Sequence, residues 1–198
     1  ITFWFGSPGP EPGVAFQMAW FRRDDAFDEQ LRVRFGDLAE RALGEPAAFG
    51  AWLDARGVLG QLLLLDQLSR NLFRGSPRAF AADPRARELA RDALARGLDR
   101  EVPLVARTFF YLPFEHSEDL ADQHLSVSLF SRLVEDTRLA HAQGQCSAQV
   151  LSDLISALDY AKKHEDVIAE FGRFPHRNAA LGRISTPAES AWLAGGGF

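Results

Sequence analysis

A group of polar residues follows one of the most apolar runs of the sequence, VLGQLLLL. A helix that is apolar on all sides belongs in the interior of a protein, so the polar residues after it must meet partners there or line a cavity. Asp66 stands four residues before Arg70, a spacing at which an ion pair forms along a helix. In one interpretation this pair ties helices together. In the other, Arg70 or Arg74 points into a pocket and binds an anion, with Asp66 orienting it. The group comprises Asp66, Gln67, Arg70, Asn71 and Arg74.

A second polar group begins with Glu115 and His116. We predict that Ser117 caps a long helix there, and Gln123 lies on the same side as His116 if that helix reaches back far enough. In one interpretation the group is a helix cap with a hydrogen-bonded histidine. In the other, His116 is a general base or a metal ligand, with Glu115 or Asp119 beside it.

A third group lies near the C-terminus, where His164 precedes the segment GRFPHRN. The segment places two arginines, a histidine and an asparagine around an apolar Phe-Pro pair. Its Phe could be fixed in the core while Arg and His point inward, or its arginines could simply bond the carbonyls at a helix end. The polar residues concerned are His164, Arg173, His176, Arg177 and Asn178.

The elements that must position these residues are predicted to be helices. Apolar residues recur at three- and four-residue spacing, and no convincing strand pattern is present. We therefore expect an all-α protein, a single helical domain over residues 1–198 whose helices are antiparallel wherever loops are short. The predicted helices are Ala26 to Ala42, a short one from Pro46 to Gly57 carrying Trp52 and Leu53, Val58 to Gly75, Asp83 (as N-cap) to Gly97, Val102 to Tyr111 closed by Pro113, Ser117 (as N-cap) to before Gly144, Cys146 to Phe171, and a last one capped by Thr186 and Glu189.

Composition narrows the classes of function. The net charge is −5 with acidic and basic residues mixed along the chain, so neither nucleic acid nor a membrane surface is an expected partner. Cys146 is the only cysteine, which excludes an internal disulfide and favours a reducing compartment, the cytoplasm. No phosphate-binding loop, nucleophile elbow, HExxH or dinucleotide-binding glycine pattern occurs. The sequence specifies no cofactor, metal or oligomeric state.

Several long strings carry a resemblance to a known family. LLLLDQLSRNLFRG, AFAADPRAR, FYLPFEHSEDLADQ, HEDVIAEFGRFPHRNAALGR and STPAE occur in this order. Together they resemble the bacterial family catalogued as domain of unknown function family 924, over almost the whole chain. The resemblance implies an all-helical fold of the tetratricopeptide-like superfamily, and it implies no biochemical activity.

The main functional hypothesis is a pocket for a small anionic ligand, with or without turnover. All three polar groups lie at predicted helix ends, which in a helical array can converge. His116 or His176 would be the acid or base, and Arg173 or Arg177 would stabilise developing negative charge. The ligand-binding residues would be Asp66, Gln67, Arg70, Asn71, Arg74, Glu115, Gln123, His164, Arg173, Arg177 and Asn178.

Two alternatives belong to other classes of protein. One is a metal-dependent hydrolase in which a divalent ion activates a water molecule. The other, suggested by the fold that the resemblance implies, is a helical scaffold that presents a groove to a peptide or protein. The metal ligands would be His116, Asp119, His164 and either His176 or Glu115.

Overall fold

The computed structural model describes residues 1–6, 16–17, 20–45 and 49–197, and these residues form helices, turns and loops without a β-strand among them. The prediction of an all-α fold is thus confirmed. The α-helices of the described part are α1 (Thr2–Phe5), α2 (Asp25–Gly44), α3 (Ala55–Leu62), α4 (Ser69–Leu72), α5 (Asp83–Ala95), α6 (Leu104–Glu115), α7 (Leu120–Ala142), α8 (Ala148–Phe171) and α9 (Pro187–Ala194).

Helices α3 and α4 are two parts of one continuous helical rod, because a π-helical segment, Leu63–Leu68, joins them. A π-helical turn is wider than an α-helical one and is often found at functional sites. Here it contains Asp66 and Gln67, and both side chains are buried. Among the described residues there are also short 3₁₀ helices, Pro77–Phe80, Leu98–Glu101 and Pro175–Arg177.

The core is built around α6. Its residues Phe109, Phe110 and Phe114 are fully buried, and α6 packs against α3, α5, α7 and α8. Helices α7 and α8 form a long antiparallel hairpin around a short turn. A second, smaller apolar cluster, formed by Val167, Ile168 and Phe174, fixes the end of α8 to the loop that follows it.

Several helix ends lie where the sequence predicts them. Helix α8 ends at Phe171, and Gly172 after it has φ of 68°, a left-handed conformation in which glycine is favoured. Thr186 and Glu189 form the predicted capping box of α9: the Thr186 hydroxyl accepts from the Glu189 N–H at 3.2 Å, and Glu189 Oε2 accepts from the Thr186 N–H at 2.7 Å.

Asp83, Ser117 and Pro113 do not begin or end helices as predicted. Asp83 is not an N-cap, since it lies inside the first turn of α5 and its carboxylate serves an ion pair instead. Ser117 does not cap α7, because its hydroxyl donates to Asp122 while Asp119 accepts from the first N–H groups of the helix. Pro113 does not close α6, which runs on to Glu115.

The predicted short helix before Gly57 is wrong at its C-terminal end. Its first residue, Pro46, lies outside the described residues. Trp52 and Leu53 lie in a loop, and α3 begins at Ala55 with Asp54 as its cap, whose carboxylate accepts from the Gly57 N–H at 2.7 Å.

No helix in the described part of the chain is long and apolar enough to cross a membrane. The described helices from α1 to α8 contribute to one main apolar core. That a single domain spans residues 1–198 stays a prediction.

Candidate functional site

Asp66 is the first element of the site. The π-helical segment places its carboxylate in the interior, with the residue only 1% exposed. The predicted ion pair is present, with Arg70 Nη1 at 3.1 Å from Asp66 Oδ1. Gln67 Nε2 donates to Oδ2 at 2.6 Å. Burial alone would raise the pKa of Asp66, but the charges of Arg70 and His116 and these hydrogen bonds outweigh it and hold the pKa well below its usual range.

His116 lies directly after α6, where its ring meets Asp66 from another helix. Its Nδ1 lies 2.8 and 3.0 Å from the two carboxylate oxygens of Asp66. An ionised carboxylate only accepts hydrogen bonds, so Nδ1 carries the proton and Nε2 keeps a lone pair. Burial and the charge of Arg70 lower the pKa of His116 despite the attraction of Asp66. His116 is therefore a neutral imidazole at neutral pH.

Asp83 and Arg177 complete a closed circuit of polar contacts. Asp83 Oδ2 accepts from Arg70 Nη2 at 3.1 Å and from Arg177 Nη1 at 3.3 Å. Arg177 Nη2 in turn donates to the backbone carbonyl of His116 at 2.8 Å. We call these five residues, Asp66, Arg70, Asp83, His116 and Arg177, the polar ring. It joins the π-helical rod, α5, α6 and the 3₁₀ turn Pro175–Arg177.

Arg177 is fixed by aromatic side chains as well as by its hydrogen bonds. Its guanidinium carbon lies 4.7 Å from the ring centroid of Phe80 and 4.5 Å from that of Phe174. The residue is 5% exposed. Burial and the neighbouring charge of Arg70 lower the pKa of Arg177 to about 10. It stays a cation at neutral pH, in a place where another cation is unfavourable.

Glu115 and His164 adjoin the polar ring. The His164 and His116 ring centroids are 6.1 Å apart, and Glu115 Oε1 lies 3.4 Å from His164 Nδ1. His164 Nδ1 donates to the Tyr160 carbonyl at 2.9 Å. Burial, and then the charge of His116, lower the pKa of His164 to about 3. Burial and the charge of Asp66 raise the pKa of Glu115 to about 8.

Three side chains form the part of the site that reaches solvent, which we call its solvent-facing edge. The side chains of Arg70, His116 and His164 remain 19%, 15% and 12% exposed, whereas those of Asp66 and Asp83 are 2% and 8% exposed. A molecule that approaches from solvent therefore meets the arginine and the imidazoles, with the two carboxylates behind them. His176 is exposed beside this edge, with its ring 5.5 Å from the Phe174 ring.

Two residues of the first predicted group lie away from the polar ring. Asn71 Nδ2 donates to Asp28 Oδ1 at 2.7 Å, and Arg74 Nη2 to Asp28 Oδ2 at 3.0 Å. Asp28 belongs to α2, so Asn71 and Arg74 join the rod to that helix.

Three predicted residues of the other groups are engaged elsewhere. Gln123 Nε2 donates to backbone carbonyls at the end of α6, including that of Glu115 at 2.7 Å. Arg173 Nε pairs with Glu189 at 2.6 Å, and Asn178 Nδ2 donates to the Ser185 hydroxyl at 3.0 Å. These contacts fix the corner between α6 and α7 and the loop before α9.

The structure does not assemble the predicted metal ligands. Asp119 caps α7 through the Ala121 and Asp122 N–H groups. Among the described residues, no three or more His, Cys, Asp or Glu side chains are grouped so as to hold a metal ion.

Asp83 is the ring member that the sequence did not identify as a site residue. Its position directly before Pro84, at the start of a helix, is typical of a cap. Nothing in the neighbouring residues indicates that its carboxylate accepts from Arg70 and Arg177. The only available signal was its presence in the string AFAADPRAR, which is among those that carry the family resemblance.

Two surface clefts lie apart from the polar ring. A cleft of about 620 Å³ is mostly apolar and is lined among others by Phe35, Trp52 and Leu63. A second, of about 450 Å³, lies between the start of α6 and the end of α7. Neither includes a residue of the polar ring.

Comparisons with known proteins agree with the resemblance seen in the sequence. A solved structure of a protein of unknown function from Agrobacterium tumefaciens is similar at 38% identity, over 88% of this chain and 87% of that one, with a TM-score of 0.69. No curated protein matches the sequence. A family model described as bacterial protein of unknown function (DUF924) matches residues 1–197. The chain therefore belongs to the DUF924 family.

Proposed function

We propose that this protein binds a small anionic molecule at the solvent-facing edge of the polar ring and that His116 acts on it as a general base. The observation that carries the proposal is the pairing of His116 Nδ1 with the buried Asp66 carboxylate at 2.8 and 3.0 Å. A carboxylate behind an imidazole fixes its tautomer and orientation and stabilises the imidazolium that forms when Nε2 takes a proton.

His116 Nε2 is available for this role. No residue in the described part of the chain hydrogen-bonds it, and the side chain is 15% exposed. Because the imidazole is neutral at neutral pH, Nε2 can remove a proton from a bound molecule or from a water molecule beside it.

The arginines support an anionic rather than a cationic ligand. Arg70 and Arg177 share one oxygen of Asp83, so their guanidinium groups are neighbours. Arg70 is the more exposed of the two and shares Asp66 Oδ1 with His116, which places it next to the base. An anion at this edge meets the Arg70 guanidinium before it meets either carboxylate.

The proposal also covers the cellular location and the two alternative functions. We place the protein in the cytoplasm because of its single cysteine. The metal-dependent hydrolase and the peptide-binding scaffold stay predictions, and the site's polar residues do not favour either of them over an anion site.

The proposal is tested by titrating ¹⁵N-labelled protein with sodium sulfate at constant ionic strength and following the imidazole nitrogen signals. We expect the His116 signals to report a protonated Nδ1 and an unprotonated Nε2 and to shift saturably with sulfate. His124 is the internal control, because its side chain is 64% exposed and lies outside the ring. A His116 shift that is linear in sulfate, like that of His124, would overturn the proposal.

A pair of variants tests the role of arginine. Arg70→Lys keeps the charge but loses the planar fork that spans Asp66 and Asp83, so we expect about tenfold weaker sulfate binding. Arg74→Lys, which makes the same change in an arginine outside the ring, should bind sulfate as the wild type does. Equal affinities of the two variants would remove Arg70 from the site.

A further inference from the structure

Glu115 has a buried carboxyl group whose hydrogen bonding is incomplete. The residue is 4% exposed, and no described residue donates a hydrogen bond to either carboxyl oxygen. His164 Nδ1 lies 3.4 Å away, but its proton is directed to the Tyr160 carbonyl. Burying an ionised carboxylate without donors is very unfavourable, and the ionised Asp66 nearby makes a second negative charge more so.

We propose that Glu115 is held as a carboxylic acid and donates its proton in a hydrogen bond to an oxygen atom of the anion bound at the polar ring. This inference rests on the proposed function and adds the class of ligand. The ligand carries an oxyanion group, a carboxylate or a phosphate-like group, with one oxygen facing Arg70 and another facing Glu115. A neutral carboxyl group can be such a donor only while it keeps its proton.

The charged and titratable groups around Glu115 come from every element packed at the site. The charge of Asp66 acts on it from the π-helical rod, and His164 Nδ1 lies 3.4 Å away on α8. His116 follows it directly in the chain, and through His116 and Asp66 it adjoins Arg70 and Arg177 of the polar ring. Asp66 is the negative charge among them, and with burial it raises the pKa of Glu115 to about 8. The acid form therefore prevails at neutral pH.

This gives sulfate binding a defined dependence on pH. Sulfate is a suitable probe because its own charge is constant across the neutral and mildly alkaline range. A group with a pKa of about 8 passes from about nine-tenths protonated at about pH 7 to about one-tenth at about pH 9. We expect wild-type affinity for sulfate to fall about tenfold over that interval.

Glu115→Gln provides the decisive variant, since an amide is a neutral hydrogen-bond donor at every pH. We expect it to bind sulfate about equally at both pH values and about as well as the wild type does at the lower one. Glu165→Gln is the matched control, because it removes a carboxyl from the neighbouring helix outside the site. It should lose affinity with pH as the wild type does.

The outcomes separate the two proposals. If Glu115→Gln loses affinity with pH as the wild type does, the role of Glu115 is overturned while the anion site stands. If wild-type protein does not bind sulfate at either pH, the proposed function itself fails. A direct measurement uses wild-type protein alone: the ¹³C carboxyl signal of Glu115 should titrate near pH 8, and a midpoint near its usual 4.5 would overturn the inference.

Discussion

Replacing Glu115 by Gln is expected to make the protein more stable, and increasingly so as the pH rises. The pKa of this carboxyl is raised from 4.5 to about 8 in the folded state. Between these values the folded state keeps a proton that the unfolded state has lost. The contribution of Glu115 to stability is therefore fully present below the unfolded pKa and is lost as pH rises through the folded one.

The magnitude follows from the width of that interval. Each pH unit between the two pKa values removes about 1.4 kcal/mol from the free energy of unfolding. At pH 7 the loss is about 3 kcal/mol, and above pH 8 it reaches about 5 kcal/mol. Glu115→Gln has no titrating carboxyl at this position, so the loss of unfolding free energy with rising pH disappears. For a chain of this size we expect its melting temperature at pH 7 to rise by about 6–12 °C.

Urea unfolding at about pH 5, 6, 7 and 8 measures this effect for the wild type, Glu115→Gln and Glu165→Gln. Any packing difference between the amide and the acid is independent of pH. The test is therefore how the free energy of unfolding changes with pH. Glu165→Gln keeps Glu115, so its stability should fall with rising pH as that of the wild type does. A stability difference between Glu115→Gln and wild type that stays constant across the series would refute the reasoning.

Three further predictions concern stability. Asp66→Asn removes one of the two buried carboxylates that pair with Arg70, while Asp83 remains, and should cost about 1.5–3 kcal/mol in urea unfolding; a loss below about 0.5 kcal/mol would contradict the role of Asp66 in the polar ring. The pKa of His164 is lowered from 6.5 to about 3, so the unfolded state gains a proton first and stability falls as pH drops through that interval. His164→Gln should remove a slope of about 1.4 kcal/mol per pH unit there, and an unchanged acid limb of the stability profile would contradict it. Gly57→Ala places a Cβ 2.9 Å from the Trp52 backbone and should cost about 1–3 kcal/mol, whereas Gly36→Ala, with open space in α2, should stabilise by about 0.5–1 kcal/mol; thermal melts that give both changes the same sign would be inconsistent with the structure.

Sequence patterns predicted the features of this fold that depend on neighbouring residues. The Thr186 capping box, the end of α8 before Gly172 and the Asp66–Arg70 pair all involve residues at most four positions apart. At this distance helix geometry alone fixes which side chains and backbone groups meet. The all-α class follows in the same way from the spacing of apolar residues.

Features that depend on tertiary packing could not be predicted from the sequence. Arg177 reaches Asp83 across 94 positions, and His116 reaches Asp66 across 50. These contacts exist because α5, the end of α6 and the 3₁₀ turn Pro175–Arg177 pack at the same end of the rod, which no local pattern encodes.

Adjacent residues in one polar group also separate for a geometric reason. Arg70 and Asn71 are neighbours in the sequence, but successive residues of a helix point about 100° apart. Arg70 therefore turns to Asp83 while Asn71 turns to Asp28 on α2. Grouping residues by sequence proximity overestimated how many of them share one site.

The polar ring is an unfavourable way to join helices if joining them is all that it does. Buried ion pairs lose most of their mutual attraction to desolvation, and well-packed apolar residues often replace them without loss of stability. An apolar contact could hold the rod against α5 and α6 equally well, but it could not fix the proton of His116 on Nδ1. Glu115 adds to the same argument, because a buried carboxyl without a donor reduces stability at neutral pH. Two costly arrangements side by side at one solvent-facing edge are the physical reason to look for a ligand there.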